Sequence, residues 1–105
     1  MAYLIFSLAQ QILQVTGHEP DFLNDLYPNP YSDNFTIAFY TGQAQQAEVY
    51  MENALGQLIW SRQVQSQVNN FTVLNIQNEA SLAHGLYFIC VKTNNATLVK
   101  KLVKG

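Results

Sequence analysis

Beyond residue 25 the apolar side chains recur with a period of two, in short runs broken by turn residues every 10 to 15 positions. Alternation of this kind puts successive side chains on opposite faces of a strand, so that one face can be buried while the other meets water. Phe35, Ile37 and Phe39 alternate with Thr36, Ala38 and Tyr40, and Val49 and Met51 alternate with Glu48 and Tyr50. Further strands are expected over Leu58–Val64, Phe71–Ile76, Leu86–Thr93 and Ala96–Val103. Turn chemistry separates them. Gly56 in Asn53-Ala54-Leu55-Gly56 can take positive φ without a Cβ clash, Asn69-Asn70 tolerates the left-handed region, and Asn94-Asn95 closes a last hairpin. With a short entry strand at Leu26-Tyr27, the pattern predicts a seven-stranded antiparallel β-sandwich of the immunoglobulin or fibronectin kind.

The region before this is different. Leu4, Ile5, Leu8, Ile12 and Val15 share one helical face, Gly17 can cap it, and Pro20 forbids continuation. Residues 1–17 therefore read as a short helical or irregular extension. A second reading, a remnant of a signal peptide, rests on the small-x-small form of Ser7-Leu8-Ala9, although no basic residue follows Met1. Residues 18–25 are acidic, interrupted by Pro20 and without period, which is expected of a linker, and 26–105 form the folded unit.

Composition narrows the function classes. A chain of 105 residues with 49% hydrophobic and 11% charged residues has the make-up of one globular domain. Its formal charge of −2 argues against nucleic acid, because phosphate binding needs a basic field. The charges are also segregated. Six of the seven acids lie before residue 53, whereas Lys92, Lys100, Lys101 and Lys104 gather at the end and could meet an acidic partner. No stretch approaches the roughly 20 apolar residues that span a bilayer as a helix. Cys90 is the only cysteine, so no disulfide closes within the chain, and its apolar strand suits a small buried thiol.

Candidate chemistry is sparse. His18 and His84, the two histidines, have no serine or carboxylate at a catalytic spacing, and no metal-ligand cluster, phosphate loop or nucleophile elbow occurs. The sequence points away from an enzyme, and no cofactor is expected. Asn-x-Thr triplets begin at Asn34, Asn70 and Asn95, where Asn and Thr also suit strand entries. Tyr31, Tyr40, Tyr50 and Trp60 could form a sugar-stacking platform on one sheet face, which would make this a carbohydrate-binding or adhesion module. Trp60 suits equally a place between the sheets.

A more specific signal is Leu82-Ala83-His84-Gly85-Leu86-Tyr87. It has the spacing of a tyrosine corner, in which a crossing loop is tied down by the tyrosine hydroxyl and Leu82 plugs the sandwich. Tyr87, Ile89 and Val91 would then face the core.

Taken in order, Tyr27-Pro28-Asn29-Pro30, Asn53 to Gly56 and Gln57, Leu82-x-x-Gly85-x-Tyr87 to Val91, and the basic Leu98–Lys104 resemble the C-terminal sorting domain of the type IX secretion system of Bacteroidetes, the type A form. The resemblance covers residues 26–105. It implies a label fused behind a cargo domain, which is expected upstream but absent from this sequence, where only about 25 residues precede Leu26. It further implies passage through the periplasm and recognition by the outer-membrane machinery. A sortase-like peptidase would then cut before Leu26, leaving the cargo secreted or at the cell surface. Lys100, Lys101 and Lys104 would belong to the recognised region.

Overall fold

The computed structural model describes residues 20–77 and 82–105, so the apolar segment read over 1–17 lies outside the described residues. Seven strands follow one another: β1 (Phe22–Leu23), β2 (Asn34–Thr41), β3 (Gln46–Asn53), β4 (Leu58–Gln65), β5 (Asn70–Gln77), β6 (Gly85–Lys92) and β7 (Thr97–Lys104). They form a three-stranded sheet, β1-β2-β5, and a four-stranded sheet, β4-β3-β6-β7, with antiparallel pairing throughout. The all-β sandwich expected from the alternation is the observed fold.

The core lies where the period-two pattern placed it. Phe35, Ile37 and Phe39 of β2 face Val49 and Met51 of β3 and Tyr87, Ile89 and Val91 of β6, all of them buried. Burying such side chains stabilises the fold by about 1.5–3 kcal/mol each relative to leaving them in water. The turns follow the sequence chemistry as well. Gly56 has φ +82° and Asn69 φ 49°. The Asn53 carboxamide oxygen accepts from the N–H groups of Leu55 (2.9 Å) and Gln57 (3.0 Å), which explains why asparagine opens that hairpin.

The beginning of the fold departs from the expectation. The stretch read as a linker contains β1, where Phe22 and Leu23 pair with Tyr40 and Phe39 of β2. Leu23 is buried, and Asp21 accepts a 2.6 Å hydrogen bond from the Thr93 hydroxyl. Leu26-Tyr27 forms no strand of its own, only a bridge from Tyr27 to Thr36. Two paired residues are too few to display a period, so the acidic composition concealed them.

From β1 the chain crosses between the sheets. The Asn24 N–H donates to the Ala38 carbonyl (3.0 Å), and the Tyr27 carbonyl accepts from the Thr36 N–H (2.8 Å), both on β2. Four residues later Tyr31 pairs in parallel with Lys104 of β7, in the other sheet. Residues 24–32 thus form a strap that laces the two sheets along one side.

Candidate recognition surface

The strap and β7 meet through a side chain that imitates a peptide group. The Asn29 Nδ2 donates to the Lys101 carbonyl (2.9 Å), and its Oδ1 accepts from the Val103 N–H (2.8 Å). The next outward-facing groups are met by backbone. Tyr31 N–H donates to the Val103 carbonyl (2.9 Å), and Gly105 N–H donates to the Tyr31 carbonyl (2.8 Å). β7 is an edge strand, and an edge leaves rows of N–H and C=O groups open to stray pairing. Between Lys101 and Gly105 that row is filled. Pro28 and Pro30 flank Asn29 on the exposed surface, and neither contributes an N–H to the edge. Tyr27 is exposed, whereas Tyr31 is 2% exposed and packs on Phe35 with ring centroids 4.8 Å apart.

The three lysines of β7 divide between its two faces. The register pairs Lys100 with Ile89 and Lys104 with Gly85, on the inward row shared with Leu98 and Leu102. The Lys100 ammonium donates to Asp25 of the strap at 2.9 Å. Lys104 is 9% exposed, with its ammonium 5.5 Å from the Tyr31 ring centroid and 3.4 Å from the Ser32 carbonyl. A lysine can sit on an inward row at the rim because its stem lies along apolar surface while its head reaches polar partners. The charged edge expected from sequence is thereby corrected for Lys104, which is buried. Lys101 alone of the three is on the outward row, with Val99 and Val103 beside it.

The remaining motif residues organise the lower end of the sandwich. Gly85 has φ +139°, a conformation that disfavours any residue with a Cβ. The Tyr87 hydroxyl donates to the Ala83 carbonyl at 2.7 Å, so the tyrosine corner is present. Leu82 is half-buried against the core. Gly56 lies in the β3–β4 turn and touches neither the strap nor β7.

Among the described residues the side opposite the strap is open. There β4 and β5 border a groove of about 290 Å³ lined by Ile59, Trp60, Arg62, Ile76 and Leu82, among others. Trp60 packs partly against the core, and the Arg62 guanidinium lies 5.2 Å from its ring centroid. The four aromatics weighed as a sugar platform are scattered: Tyr31 in the core, Tyr40 on the three-stranded sheet, and Tyr50 and Trp60 on opposite faces of the other. Sequence reasoning missed a different cluster, Phe22, Tyr40 and Phe71, because two of its members lie on strands far apart in the chain. Phe22 and Tyr40 stack with centroids 5.2 Å apart and 18° between planes, and Phe71 meets both edge-on.

Few ionisable groups are perturbed. Burial pushes the Cys90 thiol up, with Glu52 adding to the rise and a hydrogen bond from Tyr50 opposing it. Burial, then Tyr87, raises the Tyr31 phenol. Burial also raises Tyr50, followed by Cys90 and two glutamates. Each shift favours the neutral form, and a thiol held neutral is a poor nucleophile. Among the described residues no group of three or more His, Cys, Asp or Glu could hold a metal.

These features define a small two-sheet module whose distinctive residues organise a surface and an edge. The chain belongs to the secretion system C-terminal sorting domain family, which its sequence matches over residues 25–105, and it carries a sorting signal for type IX secretion. That signal implies interaction with the secretion machinery and export to the cell surface or beyond. Among solved structures, the chain is similar to one described as dimeric latent PorU from Porphyromonas gingivalis, with a TM-score of 0.63 and 19% identity. The likeness covers 86% of this chain and 10% of that one, so it supports the fold of one small part of a much larger protein. No curated protein matches.

Proposed function

We propose that this domain is a non-catalytic address label, which takes a cargo fused upstream through the periplasm and across the outer membrane. Its reading surface lies on the laced side. The observation that supports this is convergence: the Tyr27–Pro30 motif and the basic last strand, some 70 residues apart in sequence, form one continuous structure through Asn29 and Tyr31. A peptidase of the machinery would then release the cargo. Cleavage between Asp21 and Leu26 would require stripping β1 from β2 and breaking the Asp21–Thr93 bond, which supports a processed bond before Asp21 in this reading.

A reporter carrying a signal peptide and fused to residues 1–105 should leave a bacterium that possesses this system. Removal of Leu98–Gly105 should retain it in the periplasm. Undiminished export of that truncated fusion would defeat the reading. The carbohydrate-binding alternative gains nothing from the geometry, because Tyr31, Tyr40, Tyr50 and Trp60 do not share one sheet face.

A further inference from the structure

The laced edge and the parity of β7 together restrict how a partner can read it. Backbone groups from Lys101 to Gly105 are already paired with Asn29 and Tyr31, so an incoming strand cannot add there. Along that stretch it is the outward face that stays accessible. On it Lys101 stands between Val99, 53% exposed, and Val103, 38% exposed, with Leu86 of β6 opposite Val103 at 39%. Phe88 lies opposite Lys101 and separates it from Glu52 on β3. Among the described residues the one ion pair is Lys100 with Asp25, so Lys101 is an unneutralised cation framed by aliphatic side chains.

We infer that Lys101 is the charged specificity contact of the sorting domain, docking a protein partner that presents a carboxylate within an apolar frame. The inference rests on the sorting reading above and assigns its charge recognition to one of the three lysines. Lys100 and Lys104 act differently: they hold the strap, through Asp25, Tyr31 and Ser32. A lone cation ringed by apolar surface is selective because a neutral or basic partner would leave it desolvated and unpaired.

The test uses the reporter fused to residues 1–105. Lys101→Glu should lower export at least about tenfold, the scale of one lost charged contact, with an unchanged thermal midpoint. Lys101→Arg should restore export, and Val99→Asp should lower it with the fold intact. Arg62→Gln, which removes a cation from the side opposite the strap, should export as the parent does. Normal export of a folded Lys101→Glu fusion, while removal of Leu98–Gly105 still blocks export, would overturn the assignment and leave the sorting reading standing. If that truncation itself exports, the sorting reading fails first and the assignment with it. Lys101-dependent binding of the purified chain to phosphatidylglycerol–phosphatidylcholine vesicles would reassign the lysine to lipid phosphate and overturn the protein partner.

Discussion

The two long sides of the sandwich solve the same problem differently. Each ends in strands with unpaired edges. On one side the strap crosses from β2 to β7 and fills the edge with an asparagine side chain and a tyrosine backbone. On the other, β4 and β5 are left apart, with a groove between them and Trp60 half covered. The recognisable motif of the early sequence falls on the first side. Trp60, the side chain that a reader of composition would notice first, falls on the second. That early motif therefore follows the place where the strap meets the last strand, not the groove beside Trp60.

Substitutions can break or sharpen this contrast. The largest effect is expected at the laced side: Tyr31→Ala removes a buried ring beneath the strap and should cost about 3–5 kcal/mol in chemical denaturation. Trp60→Ala on the open side removes a larger ring that is only partly packed, and should cost about 2 kcal/mol. A Trp60 loss equal to that at Tyr31 would erase the distinction. Asn29→Ala deletes both amide contacts to β7 and should cost about 1–2 kcal/mol, with faster hydrogen exchange at Val103. Tyr87→Phe removes one hydrogen bond to Ala83, a loss of about 1 kcal/mol. Smallest is Tyr31→Phe, since the Tyr31 hydroxyl is buried with no partner among the described residues. Its removal should leave stability within about 0.5 kcal/mol of the parent or raise it.

Much of the fold was readable in advance because the buried strands are long enough to repeat their pattern. Eight residues of β2 show four turns of alternation, and Gly56, Asn69 and Gly85 announce backbone conformations that few other residues adopt. The Leu82 to Tyr87 spacing foretold the hydroxyl bond to Ala83. The site was less legible. Alternation says that Lys100 and Lys101 point in opposite directions, but not which of them faces in, since that depends on the register with β6. Asn29 reads as a turn former between prolines, and its use as a surrogate peptide appears only when β7 is alongside. Asp25 looks like linker acidity until Lys100 lies 2.9 Å away.

The bond between Asn29 and Val103 joins residues 74 positions apart. A polypeptide still leaving the ribosome can fold its upstream portions first, yet this closure has no partner until residues 101–105 have been made. Without residues 101–105 the Asn29 carboxamide and the Tyr31 backbone lose these partners, so the last stretch of chain is what completes the strap.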